Sequence, residues 1–228
     1  MIIAGNFKTN HSRSSALAYC KGLDLFLNSK KAEVFLFPPS TALPYADFMY
    51  LKIGAQNAYP MRSGAMTGEI GLEQLEDLGV RTLMIGHSER RMLGEDLSMC
   101  KKKFDFFSTQ GMKLFFCVGE DLKTRKSGKI KEFLSAQLKG IDLAYSGLIV
   151  AYEPIWAIGT GVSASLEEIS QTHQMLKDLG VQSLIYGGSV SAKNAGEIMA
   201  LEAVDGVLVG GASLKLESFC EIIEEGEK

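Results

Sequence analysis

Eight short apolar runs punctuate the chain, at 2–4, 34–37, 52–55, 82–85, 114–118, 148–152, 183–186 and 206–209. Runs such as Leu114-Phe115-Phe116-Cys117-Val118 show no polar alternation, so both faces of these strands are buried, which is the habit of parallel sheets covered by helices. Good helix formers with mixed apolar and charged side chains fill the gaps at 15–27, 97–109, 130–143, 166–179, 192–201 and 214–225. The gaps at 41–50 and 72–78 have room only for short helices. Gly79 and Gly180 each stand where a left-handed cap would release a helix into a strand. Strands and helices that alternate eight times predict an α/β fold, a closed (β/α)8 barrel, in preference to an open doubly wound sheet, which usually has fewer strands. No Pro-, Gly- or Ser-rich linker divides the 228 residues, so residues 1–228 are expected to form a single domain with short connections.

Composition narrows the function. With 24 basic and 27 acidic side chains the formal charge is -3, unlike the basic domain that tracks a nucleic-acid backbone, although a local anion site needs only a few groups. No nucleic-acid or membrane partner is expected. The four cysteines, at 20, 100, 117 and 220, form no CxxC pair and read as scattered thiols. Residues 1–8 hold only a short apolar run, with neither a signal-type core nor a membrane helix, which makes the cytoplasm the expected location.

In a barrel of this kind chemistry gathers where the strands end, because the following loops converge there. Asn6 and Lys8 follow the first run, Gln56 and Asn57 the third, His87 to Arg91 the fourth, Gly119 and Glu120 the fifth, Glu153 the sixth, Gly187-Gly188-Ser189 the seventh, and Gly210-Gly211 the eighth. Pro154 disfavours the helical region at Glu153, so the carboxylate is held extended at the rim, a position suited to taking a proton from carbon. The loop that follows, Pro154-Ile155-Trp156-Ala157-Ile158-Gly159-Thr160-Gly161, is apolar and ends in glycines, as a lid that closes over a ligand and sheds water would be. His87 precedes a polar turn or short helix, whose N–H groups disfavour a charged ring. A neutral imidazole can donate a hydrogen bond to a developing enolate oxygen. Lys8 can anchor an anion and offset negative charge, with Asn6 supporting it. Gly187-Gly188-Ser189 and Gly210-Gly211 can present bare backbone N–H groups to a phosphate, with Gly159 joining when the lid shuts. The three histidines, 11, 87 and 173, form no ligand cluster, so no metal is expected. Neither a GxxxxGK[ST] nor a strand-linked GxGxxG stretch occurs.

The stretches Asn6-Phe7-Lys8-Thr9-Asn10, Gly86-His87-Ser88-Glu89-Arg90-Arg91, Cys117-Val118-Gly119-Glu120, Ala151 to Gly161, Tyr186 to Val190 and Val209 to Leu214 together resemble the triosephosphate isomerase family, in the family's order and over almost the whole chain. The resemblance implies a TIM barrel and an isomerase of glycolysis and gluconeogenesis that interconverts dihydroxyacetone phosphate and D-glyceraldehyde 3-phosphate without a cofactor. It implies Glu153 as base, His87 as neutral electrophile, Lys8 and Asn6 at the substrate, and Glu89 as the carboxylate that arranges Lys8 and His87. Asn6, Lys8, Gly159, Ser189, Gly210 and Gly211 would hold the substrate and its phosphate. It also implies a homodimer, with residues 58–69 as the loop that reaches into the partner.

Three departures stand out against the family's pattern. The chain is short, Phe7 replaces a frequent tryptophan, and Lys177 stands where an arginine is frequent. Other phosphosugar barrels share the phosphate loops, but would place a different acid–base set or a Schiff-base lysine at the strand ends.

Overall fold

The computed structural model describes residues 1–158 and 163–228. Eight strands, β1 (Ile2–Asn6), β2 (Glu33–Phe37), β3 (Lys52–Ala55), β4 (Thr82–Ile85), β5 (Lys113–Val118), β6 (Leu148–Tyr152), β7 (Leu184–Tyr186) and β8 (Gly206–Val209), pair in parallel and in chain order. β1 pairs with both β2 and β8, which closes the barrel and excludes the open sheet.

Strand alternation sorts the apolar side chains onto two surfaces. Ala4, Phe35, Phe37, Met84, Phe115, Cys117, Ile149, Ala151, Ile185 and Leu208 form one buried cluster, inside the barrel. Ile3, Val34, Leu36, Leu83, Leu114, Phe116, Val150 and Val207 belong to the larger cluster that meets the helices. Within the barrel, Phe35 and Phe37 meet Phe115 edge-on, with ring centroids 4.9 and 5.0 Å apart. The room for Phe37 comes from Gly54, where a Cβ would lie 2.3 Å from the ring.

Around the strands lie α1 (Arg13–Leu27), α2 (Leu72–Asp77), α3 (Ser88–Met92), α4 (Leu97–Ser108), α5 (Leu122–Lys126), α6 (Ile130–Leu138), α7 (Leu166–Asp178), α8 (Ala195–Met199) and α9 (Leu216–Glu225). Side-chain caps set several starts: Ser12 accepts from Ser15 N, Asp96 from Met99 N, and Ser165 from Glu168 N. Gly79 and Gly180 adopt φ of +68° and +102°, the left-handed caps expected of them.

Four elements differ from expectation. Residues 41–50 hold no α-helix, only a 3₁₀ turn at Ser40–Ala42. Pro44 breaks the segment, and the Asp24 carboxylate on α1 accepts the N–H groups of Met49, Tyr50 and Leu51, which fixes the chain in a non-helical path. α6 stops at Leu138 because Gly140 turns left-handed, with φ +79°. The helix expected over 192–201 is confined to α8. The last one begins only at Leu216, after a 3₁₀ turn over Gly211–Leu214.

Candidate active site

At the end of β1 the backbone makes an unusual turn. Lys8 takes φ +52°, a left-handed conformation that L-residues rarely adopt. Asn6, buried, turns its Oδ1 to accept the Lys8 N–H at 2.9 Å, and Gln56 Nε2 donates to Lys8 O at 2.8 Å and to Phe37 O at 2.9 Å. Both backbone groups of Lys8 are thus held by side chains. Its ammonium contacts Glu89 Oε1 at 2.7 Å.

After β4, Gly86 turns left-handed (φ +70°) and puts His87 at the head of α3. Glu89 N–H donates to His87 Nδ1 at 3.2 Å. A ring nitrogen that accepts carries no proton, so in the neutral ring the proton sits on Nε2. That Nε2 lies 3.4 Å from Glu153 Oε1. Arg91 braces the approach, its Nε donating to Gly86 O at 2.7 Å and its Nη2 to Cys117 O at 2.9 Å.

Glu153, 2% exposed, follows β6, and its N–H donates to Val118 O at 2.7 Å. Ser88 N–H donates to Oε2 at 3.2 Å. Two neighbouring turns make space for it by lacking side chains: a Cβ on Gly119 would sit 1.7 Å from Glu153 O, and one on Gly187 2.9 Å from Glu153 Cγ. Beyond Pro154, residues Ile155–Ala157 form a 3₁₀ turn. Ile155 is exposed, while Trp156 Nε1 donates to Glu120 Oε1 at 3.2 Å and Ala157 O accepts from Ser189 Oγ at 2.6 Å. Of the segment read as a lid, Gly159, Thr160 and Gly161 lie outside the described residues.

Glu120 is the unexpected centre of this region. Fully buried, its Oε1 also accepts from Arg125 Nη1 and Tyr152 OH, each at 3.0 Å. The Arg125 guanidinium lies 5.3 Å from the Trp156 ring centroid. Burial pushes the Tyr152 phenol well up, with the Glu120 charge adding to it, so Tyr152 stays a donor. Glu120 is legible as a rim residue, but nothing in the spacing of α5 marks Arg125 as its partner.

The ends of β1, β4, β6, β7 and β8 border one cavity of about 250 Å³. Asn6, Lys8, His87 and Glu153 supply its polar side, Gly187, Gly188, Ser189, Gly210 and Gly211 its turns, and Ile158, Val190, Leu208 and Ala212 its apolar side. Leu208 escapes sequence reasoning because it reads as one more core residue of β8. Glu89 stands behind Lys8 rather than on this wall, with Oε2 3.7 Å from His87 Nδ1. Phe7 is fully buried, and Lys177 Nζ reaches Asp205 Oδ2 at 2.6 Å and Gln182 O at 2.8 Å. In segment 58–69 the base is pinned by Tyr59 N–H to Ile70 O at 2.8 Å, while residues 63–69 are exposed. Among the described residues, no group of three or more His, Cys, Asp or Glu is placed to hold a metal ion, and no helix is long and apolar enough to cross a membrane.

Fold and cavity define a class: a (β/α)8 barrel with a polar cavity, bordered by glycine turns, at the C-terminal ends of its strands. A sequence model described as triosephosphate isomerase matches residues 1–226, and the chain belongs to that family. Proteins named triosephosphate isomerase from Wolinella succinogenes and from Sulfurovum sp. are each 53% identical to it, over 99% and 98% of this chain and 100% and 99% of theirs. The protein of that name from Helicobacter pylori strain J99 is 52% identical, over 97% of both chains.

Proposed function

We propose that this chain interconverts dihydroxyacetone phosphate and D-glyceraldehyde 3-phosphate through an enediolate. The observation that carries this reading is the facing pair on the cavity wall, Glu153 Oε1 and His87 Nε2, 3.4 Å apart, with the proton-bearing nitrogen turned toward the carboxylate. At that distance no substrate fits between them, so substrate entry separates the pair and leaves each facing a different part of the triose.

The roles are those of the triosephosphate isomerase family, a glutamate base beside a neutral histidine with a closing lid. Glu153 removes a proton from one carbon and returns it to its neighbour. His87 donates from Nε2 to the carbonyl oxygen as charge builds there, and shifts protons between the two oxygens. Lys8 offsets the enediolate charge, Asn6 fixes the turn that aims it, and Glu89 holds the ammonium. Ser189, Gly210 and Gly211, with Gly159, hold the phosphate, and residues 154–161 close over it to exclude water. The protein acts in glycolysis and gluconeogenesis in the cytoplasm, as a homodimer joined through residues 58–69.

A coupled assay with glyceraldehyde 3-phosphate tests the reaction. Wild-type protein should turn over, and Glu153→Gln should lower kcat roughly 10²- to 10⁴-fold with the fold intact. Unchanged turnover in that variant would remove Glu153 from the mechanism.

A further inference from the structure

His11 has no part in the site described above, yet it has the largest positive φ of any non-glycine residue among those described, +71°. Such a conformation persists where the surroundings over-determine it. Here the surroundings are specific. The imidazole lies against Phe7 with ring centroids 4.2 Å apart, and meets Tyr19 edge-on at 5.7 Å. Its Nε2 stands 3.1 Å from Leu214 O, across 203 residues of chain. A carbonyl only accepts, so Nε2 is the donor, and Nδ1 faces the Ser15 hydroxyl at 3.3 Å.

Leu214 ends the 3₁₀ turn that begins at Gly211 on the cavity wall. A second side chain grips the same turn from the same direction: Tyr19 OH donates to Ser213 O at 2.6 Å. Burial pushes the Tyr19 phenol well up, so it remains a donor. Ser213 Oγ in turn donates to Gly210 O at 2.8 Å. The last two carbonyls of the turn are therefore both held, from α1 and from the loop that precedes it, while Gly210, Gly211 and Ala212 border the cavity. Lys8 lies beside the start of the same turn, where a Cβ on Gly210 would be 3.6 Å from Lys8 Cε.

We propose that His11 is a positioning residue for phosphate binding: its left-handed backbone lets the ring bridge the β1 loop that carries Lys8 to the turn that carries Gly210 and Gly211, so that ammonium and turn N–H groups meet one phosphate in fixed register. The inference rests on the isomerase reading. Its consequence is confined to the phosphate. A misplaced turn weakens the hold on that group, and leaves Glu153 and His87 where they are.

The test compares His11→Phe, which keeps a ring on Phe7 and Tyr19 but has no donor, with His11→Gln, which keeps a donor. Losing one neutral hydrogen bond that fixes the turn should raise the Kd for inorganic phosphate about five- to tenfold in His11→Phe and lower kcat/KM for glyceraldehyde 3-phosphate by a similar factor. Turnover of unphosphorylated D-glyceraldehyde, followed by NMR, should stay unchanged, and His11→Gln should recover phosphate binding to within about twofold. Wild-type phosphate Kd in His11→Phe overturns the proposal. So does an equal loss with both substrates, which marks a general structural role. If His11→Phe does not fold, His11→Gly removes the bridge and relieves the backbone, and an unchanged phosphate Kd there overturns the proposal equally. Should the wild-type protein fail to isomerise glyceraldehyde 3-phosphate, the isomerase reading falls, while the phosphate Kd values still judge His11.

Discussion

Lys8 is held in place by its backbone before its charge does anything. A non-glycine residue in the left-handed region costs on the order of 1–3 kcal/mol, and here Asn6 Oδ1 and Gln56 Nε2 hold the two peptide groups that would otherwise relax it. Lys8 thereby lines the cavity, with its ammonium paired to Glu89 at 2.7 Å. Lys8→Met should keep the fold, raise KM for glyceraldehyde 3-phosphate and lower kcat/KM by roughly 10²-fold or more, as removal of a preorganised charge donor does. Steady-state kinetics over a range of substrate concentrations checks this, and an unchanged kcat/KM would reject the electrostatic role. The residue types around Lys8 are legible in the sequence because their chemistry is local and the strand ends converge on one rim. The job of Gln56 is not, because two hydrogen bonds that reach 19 and 48 residues back depend on how β1, β2 and β3 lie side by side.

At the scale of elements, the apolar runs announce the eight strands and Gly79 and Gly180 two helix ends, so the barrel itself is readable, while four of its connecting segments depart from expectation. What stays hidden is how one connection braces another. The turn that leads to His87 is tied to α4 by buried ions: Glu95 Oε1 accepts Gly86 N–H at 2.9 Å, and Glu95 Oε2 meets Lys103 Nζ at 2.6 Å. The same Lys103 Nζ donates to Asn57 Oδ1 at 2.6 Å, at the root of segment 58–69. Burial opposes the Glu95 charge, but the Lys103 ammonium, the Gly86 N–H and the Arg90 guanidinium together outweigh it and hold the carboxyl below its ordinary range. Neither charge stands out in sequence from those of a solvated helix face. Lys103→Met leaves the buried Glu95 carboxylate with the Gly86 N–H and, at 3.4 Å, Arg90 Nε, but without its ammonium, which should cost up to about 3–5 kcal/mol of stability in urea unfolding, and adding Glu95→Gln should restore most of that loss. Additive losses in the double variant would show that the pair does not act as a unit.

Across the whole molecule, stability should depend on pH through a histidine that takes no part in the proposed chemistry. His173 on α7 is fully buried, edge-on to Tyr152 and beside Tyr186, with Nδ1 3.1 Å from Ala203 O and Nε2 without a partner among the described residues. Burial is the main cause that lowers its pKa from 6.5 to about 4, against the opposing pull of the Ala203 carbonyl. The unfolded chain therefore binds a proton between those values that the folded chain refuses, so stability rises with pH across the window and is lost as pH falls through it. From pH 7.5 to pH 5 this one group should cost about 2 kcal/mol. For Asp24, Glu33 and Glu95, burial opposes the charge, but facing N–H and ammonium groups prevail and hold the pKa values low, so their stabilisation is lost as pH falls from the ordinary carboxylate range toward those lowered values. The interval from pH 7.5 to 5 thus lies above the loss from these carboxylates. Urea unfolding at stepped pH and one fixed protein concentration should show the slope in the wild type, whereas His173→Asn, which keeps an N–H for Ala203 but cannot gain a proton, should be nearly flat there. A slope that survives in His173→Asn would assign the acid sensitivity to another group.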